Sequence, residues 1–393
     1  MERVLSAVAS RLGTETAFEV LSRARALERA GRSVVHLEIG EPDFDTPQHV
    51  VDAAVDALRR GLTHYTPAPG IPELREAVAR AVSRTRGIPV DPSEVVVTPG
   101  GKPVMAFTVL ALVDPGDEVV YPDPGFPIYE SLVRWVGAVP KPVRLREDRA
   151  FRPDPEELAS LVGPRTKLVI LNSPHNPCGS VLSREDLEVV AAACLRHGTW
   201  VLSDEIYSRI LYDAEHHSIA SLPGMRERTV ILDGFSKTYA MTGWRLGYGV
   251  MPRPVAEAVT RFAVNVYSCP AAFAQVAGIA ALEGPQESVE AMVAEFRRRR
   301  DRVVAGLNAI PGLRCVLPQG AFYAFPNVSE LDPDGRAFAD YLLEEAGVAV
   351  LAGTAFGQAG RGYLRISYAT SLENLEEALR RIEAAARTFR ARR

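Results

Sequence analysis

The sequence predicts an α/β protein: a parallel sheet covered by helices, with a second and smaller α+β layer. Two observations carry this. Between residues 90 and 250, short β-branched runs alternate with helical patterns, as they do where crossover helices join parallel strands. After Gly284 the alternation gives way to one long helical pattern. With 393 residues, 47% of them hydrophobic, the chain can bury a large core and is long enough for more than one domain.

In chain order, a helical pattern at 18–30 and a β-branched strand at 34–39 come first. They precede the alternating region and are assigned to the smaller layer. The strand runs of the main sheet follow at 95–98, 118–121, 167–171, 200–203, 229–232 and 245–250, with helices such as 103–113, 128–136 and 184–197 between them. The smaller layer resumes with a helix at 286–308, strands at 321–325 and 363–368, and a charged helix from Leu372. This divides the chain into an N-terminal arm with part of the small domain (1–45), a large domain (46–284) and a small C-terminal domain (285–393).

In open sheets of this kind, ligands gather beyond the carboxyl ends of the strands. The residues that close the predicted strands are polar although the strands are apolar: Thr98, Asn172, Asp204, and Ser236 with Lys237. Four strand ends are therefore expected to aim polar groups at one crevice.

Charge excludes several function classes. A formal net charge of -4 offers no long-range attraction to nucleic acid or an anionic membrane. The run Arg297, Arg298, Arg299, Arg300 lies in a helical pattern and reads as a solvated, ion-paired face. No stretch has the length and apolarity of a membrane helix, and the first residues lack the continuous apolar core of a signal peptide. Arg, Ser and Ala near the start are shared with transit peptides, but Glu2, Glu15 and Glu19 argue against that reading. The four cysteines are scattered, form no CxxC pair and read as free thiols of a reducing cytoplasm. The seven histidines supply no HxxxH metal pair.

Lysine is rare: 41 arginines stand against four lysines, Lys102, Lys141, Lys167 and Lys237. A guanidinium stays protonated and cannot act as a neutral amine nucleophile, whereas a lysine can. Lys141, between Pro140 and Pro142, reads as a loop residue, and Lys167 as a surface residue opening a strand. Lys102 follows Gly100 and Gly101 and opens a helix, a place where free N–H groups and the helix dipole bind an anion. Lys237 comes just past a strand end, between Ser236 and Thr238 and near Arg245. Burial and a neighbouring cation there are expected to lower its pKa, as a Schiff-base lysine requires. An amine, an anion cradle, an aromatic platform and a carboxylate are together what pyridoxal phosphate needs of a protein.

The chain resembles the class I and II aminotransferases of pyridoxal-phosphate fold type I, and most closely the bacterial aspartate aminotransferase subgroup. The matching segments, in family order, are LEIGEPDFDTP (37–47), YTPAPGIPELREAV (65–78), VTPGGK (97–102), LNSPHNPCG (171–179), LSDEIY (202–207), FSKTYAMTGWRLGY (235–248), PQGAFY (318–323) and LRISYATSLEN (364–374). The resemblance implies a seven-stranded, mostly parallel sheet sandwiched by helices in a large cofactor-binding domain. It also implies a small α+β domain built from both chain ends, and a homodimer with active sites at the interface.

Residue by residue, it implies that Lys237 bonds the cofactor and moves the proton, and that Asp204 faces the pyridine nitrogen. Tyr207 and Asn176 match the groups that meet the phenolic oxygen. The phosphate cradle is matched by Gly100, Gly101 and Lys102, with Ser236 and Arg245. Phe126 matches the aromatic over the ring, and Tyr65 the tyrosine that reaches the phosphate from the other subunit. Arg365, with Gly40 and Asn176, matches the grip on the substrate α-carboxylate.

Aspartate, or another acidic or neutral amino acid, with 2-oxoglutarate as acceptor is the substrate expectation. In the resembling enzymes a lysine at the place of Lys102 can face a distal carboxylate. Here, however, Glu15 and Ala17 stand where hydroxyl residues assist, and Val264 stands near the place of another subgroup's arginine. Cys178 replaces the more usual threonine of the NPxG turn. The alternatives are a C–S β-lyase or another reaction on the same cofactor, and a non-catalytic cofactor sensor.

Overall fold

The computed structural model describes residue 6 and residues 8–391; residues 1–5 and 7 of the expected N-terminal arm, Glu2 among them, and residues 392–393 lie outside the described residues. Strand β1 (Val35–His36) precedes the main sheet, which is formed by β2 (Val95–Thr98), β3 (Glu118–Asp123), β4 (Val139–Arg144), β5 (Thr166–Asn172), β6 (Trp200–Asp204), β7 (Thr229–Gly234) and β8 (Gly247–Val250). Their order across the sheet is β2-β8-β7-β6-β5-β3-β4. The pairs β7/β6, β6/β5, β5/β3 and β3/β4 are parallel, while β8 runs antiparallel to both β2 and β7. The last predicted run, at 245–250, is thus a strand of opposite direction.

The central strands are apolar because both faces are covered. Leu168, Val169, Val201, Leu202 and Val230 are all fully buried, and so are Val95, Val96 and Val97 of β2 at one edge. Local signals set the helices between them. The helix Arg184–His197 opens with a capping box, Ser183 and Asp186 each accepting the other's backbone N–H at 3.2 and 3.0 Å, and stops at Gly198 with φ 67°.

β4 corrects the reading of Lys141 as a loop residue. The segment carries Pro140 and Pro142, yet it pairs along the whole of β3. It can do so because it is the sheet's edge strand, where the missing N–H groups cost no ladder bond. There the Lys141 ammonium lies 3.5 Å from the Glu118 carboxylate.

The remaining strands are β9 (Tyr323–Ala324), β10 (Val348–Ala349), β11 (Leu351–Ala352) and β12 (Leu364–Ser367). β1 pairs with β10, and β11-β12-β9 form an antiparallel sheet. Helices Glu287–Asn308, Arg336–Glu344 and Leu372–Ala391 bury Phe296, Phe338, Leu342, Leu375 and Ile382 into one cluster with residues of these strands and with Val35 and Leu37. The two ends of the chain therefore share one core. The helix Thr16–Arg29 packs on β10 and β11, with Ala24 fully buried.

The arginine run is ion-paired, as its composition suggests, but it is not a solvated face. Arg297 and Arg298 are exposed, pairing with Asp213 and Glu295, whereas Arg299 and Arg300 are buried. Arg299 reaches Asp43 at 2.6 Å and stacks over Phe44, and Arg300 reaches Asp213 at 2.6 Å and stacks over Tyr212. Successive helical positions point in different directions, so half of such a run must face the neighbouring layer.

Next to Asp204 in sequence is a buried charge network. Arg86 donates to Glu205 at 2.9 Å, Asp233 at 2.6 Å and Ser208 at 2.8 Å, and His216 lies 2.9 Å from Glu205. Burial alone would lower the pKa of Arg86, but Glu205 and Asp233 outweigh it and raise it. Replacing Arg86 by leucine strands two buried carboxylates, so it should lower the free energy of unfolding by about 3–5 kcal/mol. A urea titration checks this, and an unchanged midpoint would show that the network does not hold the sheet.

Candidate active site

The carboxyl ends of β5, β6 and β7 open on a cavity of about 520 Å³. Gly40, Gly101, Lys102, Phe126, Asn176, Asp204, Tyr207, Ser236, Lys237, Arg245 and Arg365 all line it, as does Asn172. A larger groove, about 840 Å³, runs past Arg144, Arg146, Arg314 and Arg361; Arg314 is held by Glu147 and Arg361 by Asp334. It contains none of the predicted residues.

Asp204 ends β6 and is 3% exposed. Burial pushes its carboxyl up to about 6, against the hydrogen bonds it accepts from Tyr129 Oη at 2.7 Å and the Ile206 N–H at 3.3 Å. The carboxyl therefore remains mostly ionised at neutral pH. Asn172, at the end of β5, fastens the neighbouring strand end. Its amide donates to the Asp204 carbonyl at 3.0 Å, and its Oδ1 accepts the Asn176 N–H at 2.8 Å.

Lys237 follows β7, and its Nζ donates to the Gly40 carbonyl at 2.6 Å. Burial pushes the amine down to about 8, with Glu41 acting against it and Arg365 and Arg245 adding to it. The lowered pKa is as the sequence predicts, but desolvation is the main cause and Arg245 a smaller one. The amine is also 5.8 Å from the Phe322 ring centroid.

The anion-binding end is built from β2, β8 and the helix Lys102–Leu112. Gly100 has φ 81°, and a Cβ there would strike the Arg245 guanidinium. A Cβ on Gly247 would lie 2.7 Å from the Gly100 carbonyl carbon. Glycine is therefore required for this turn to approach both β8 and Arg245. Arg245, itself at φ 54°, donates to the Thr242 carbonyl at 2.8 Å. The Gly101 and Lys102 N–H groups at a helix N-terminus, the Ser236 hydroxyl and Arg245 form a donor set that suits a phosphate. Asp204 suits a protonated ring nitrogen. The residues present therefore fit pyridoxal phosphate.

Arg365, on β12, is 4% exposed. It donates to the Glu38 carbonyl and, at 3.3 Å, to Asn176 Oδ1, and its guanidinium lies 4.6 and 4.9 Å from the Tyr323 and Phe356 ring centroids. Its Nε is buried without a hydrogen-bond partner. A buried, unsatisfied cationic donor at a cavity wall calls for an anionic acceptor. Gly40 also has a steric duty, since a Cβ there would collide with the Tyr323 hydroxyl.

Three predicted residues lie outside the cavity. Thr98 is fully buried and turns inward, its hydroxyl donating to the Gly100 carbonyl at 2.6 Å; the end of β2 reaches the crevice through Gly101 and Lys102 instead. Gly100 supports the turn from behind. Tyr65 is 89% exposed. Sequence reasoning missed Tyr129, whose bond to Asp204 spans 75 residues, and Tyr323, whose hydroxyl meets that of Tyr207 at 2.8 Å. Neither had a local signal beyond being an aromatic with a polar tip. Lys102 is engaged by the Glu15 carboxylate and lies 5.8 Å from the Phe126 ring centroid.

The family model described as aminotransferase class I and II matches residues 32–382. The aspartate aminotransferase of Geobacillus stearothermophilus is 43% identical over 370 residues, 92% of this chain and 94% of that one. An aromatic-amino-acid aminotransferase of Thermococcus litoralis is 44% identical over 354 residues, 89% of this chain and 91% of that one. Among solved structures, aspartate aminotransferase from Thermus thermophilus with maleate superposes with a TM-score of 0.93 at 42% identity, covering 98% of this chain and 100% of that chain.

The amine of Lys237 should lose its proton far below the ordinary lysine range. In cofactor-free protein, the rate at which an amine-acylating reagent modifies Lys237, followed by peptide mass, should rise with a midpoint near pH 8. A midpoint above pH 10 would show that the amine is solvated.

Proposed function

The chain belongs to the class I and II aminotransferases, and from that membership we propose that it moves the amino group of L-aspartate to 2-oxoglutarate, using the residues gathered at the ends of β5, β6 and β7. The family settles the coarser points. The protein is a transaminase of fold type I, dependent on pyridoxal 5'-phosphate, that works on an amino acid and a 2-oxo acid. Aspartate is favoured because several relatives are aspartate aminotransferases; the arginine–pyruvate transaminase of Pseudomonas aeruginosa, 41% identical over 366 residues, marks how far donors range among them.

The observation that carries the site assignment is Lys237: a partly buried amine held by a carbonyl instead of a carboxylate, in one cavity with Asp204 and Arg365. Backbone N–H groups of Gly101 and Lys102, with Ser236 and Arg245, would hold the phosphate, while the Gly100 N–H is taken by the Thr98 carbonyl at 2.8 Å. Asp204 would meet the ring nitrogen, Phe126 the ring face, and Tyr207 and Asn176 the phenolic oxygen. When bound, the cofactor supplies a sink for the electron pair left on the substrate α-carbon.

The chain's own residues do the rest. Arg365, assisted by Asn176 and Gly40, takes the α-carboxylate and fixes which α-carbon bond is oriented for cleavage. Lys237, neutral in part near pH 8, takes the proton from the α-carbon and passes it on. Asp204 stays ionised above about pH 6 and keeps a proton on the ring nitrogen. Tyr207, whose phenol burial pushes well above its ordinary range, acts only as a neutral hydroxyl.

Three finer readings belong with this one. The cofactor-binding part is residues 46–284, with 1–45 and 285–393 forming the smaller part; the core shared by Val35 and the C-terminal helices supports it. The working form is a homodimer in which Tyr65 reaches the phosphate of the other subunit, consistent with its exposure and with the exposed Val264 and Val266. The compartment is cytoplasmic: all four cysteines are free, and among the described residues no helix is long and apolar enough to cross a membrane.

A screen of amino donors and 2-oxo acids on the cofactor-loaded protein tests the activity. Aspartate with 2-oxoglutarate should yield glutamate; transfer from other donors but not from aspartate would overturn the substrate reading, and pyruvate with ammonia from cysteine conjugates would favour a C–S lyase. Lys237→Ala should lose at least about 10²- to 10⁴-fold in rate and change the cofactor's absorbance. Arg365→Leu removes two charge-assisted hydrogen bonds and should lower kcat/KM by about 10²- to 10⁴-fold; near-normal kcat/KM would displace Arg365 from the carboxylate site.

A further inference from the structure

Four cations line the cavity: Lys102, Lys237, Arg245 and Arg365. Amine chemistry, the phosphate and the α-carboxylate engage the last three. Lys102 is the cation left for a substrate side chain, and a carboxylate from elsewhere in the chain already sits on it. Glu15 and Lys102, 87 residues apart, form an ion pair at the cavity wall beside Ala17, Phe18 and Ile39.

Glu15 does not hold this place for the sake of its helix. It is the N-cap residue of Thr16–Arg29, where a side chain could accept the free N–H groups of the first turn, but its carboxylate makes no such bond. It is turned to Lys102, with 17% of its side chain exposed against 50% for the lysine. The second acid at the cavity mouth, Glu41, is occupied by the Thr242 hydroxyl.

We propose that Glu15 is a specificity-determining residue: its carboxylate takes, on Lys102, the place that the second carboxylate of a dicarboxylic substrate would occupy. This rests on the amino-transfer reading of the site. An acidic substrate must displace Glu15 to reach the lysine. A substrate with an uncharged side chain leaves the pair in place and meets a neutralised lysine instead of a bare ammonium, whose desolvation is costly. Half-exposed ion pairs carry modest net energy, so the displacement is possible. Glu15 thus narrows the gap between acidic and uncharged donors and broadens the enzyme's range.

The test uses the cofactor-loaded protein and two unreactive ligands of equal chain length, maleate with two carboxylates and crotonate with one. In Glu15→Gln, the ratio of maleate to crotonate affinity, measured by calorimetry, should rise about three- to tenfold. The ratio of kcat/KM for aspartate to that for alanine should rise by a similar factor, with the thermal midpoint near that of the unaltered protein. The gain should vanish when Lys102→Gln is added; Glu15→Ala provides a second variant should the glutamine fail to fold. Equal responses of the two ligands, weaker maleate binding, or a gain that survives loss of Lys102 would overturn the proposal. Which donor the unaltered protein prefers decides the aspartate reading, and only the change in ratio decides this one.

Discussion

The Lys237 amine donates to the carbonyl of Gly40 and has no carboxylate partner, and much of the surrounding structure follows from that arrangement. A buried ammonium beside a carboxylate would be held charged and unreactive, while one left in water would keep its ordinary pKa. Burial with only a carbonyl for company makes deprotonation accessible near pH 8. The nearby charges, Glu41 on one side and Arg365 and Arg245 on the other, act in opposite senses.

Keeping other charges buried around that amine requires compensation, and it is arranged along the strands. Asp204 uses Tyr129 and a backbone N–H to remain an anion. The next residue in β6's continuation, Glu205, belongs to the Arg86 network with Asp233 and His216. His216 and Arg86, with a hydrogen bond from Ser218, hold Glu205 down at about 2 against its burial. Removing one member of such a network exposes the others to an unpaid desolvation cost. Stability and site electrostatics are therefore coupled through neighbouring residues of the same strands.

The chain termini complete the cavity. The N-terminal segment supplies the Gly40 carbonyl to Lys237, the Glu38 carbonyl to Arg365 and the Glu15 carboxylate to Lys102. It is tied to the turn after Lys237 by Thr46, which donates to the Ala240 carbonyl at 2.8 Å and accepts from Trp244 at 2.9 Å. The C-terminal part supplies Arg365 and Tyr323. Substrate recognition and amine chemistry thus come from distant parts of the chain that meet at Gly40, where there is no room for a Cβ beside Tyr323.

The sequence by itself determined the class of sheet, the family, and half of the residues that line the cavity. These rest on local, periodic facts: apolar strands closed by polar residues, glycines before a helix, and motifs in a recurring order. It misread what depends on neighbours. Pro140 and Pro142 belong to a strand because that strand is at an edge; Arg299 and Arg300 are buried because another layer covers their side of a helix; Thr98 leaves the crevice because its buried hydroxyl is spent on the Gly100 carbonyl of the turn that follows. Only the tertiary structure brought Tyr129 to Asp204, Tyr323 to Tyr207 and Glu15 to Lys102. Those pairs span from 75 to 116 residues, and no local periodicity encodes which buried or half-buried polar groups must satisfy one another once water is excluded.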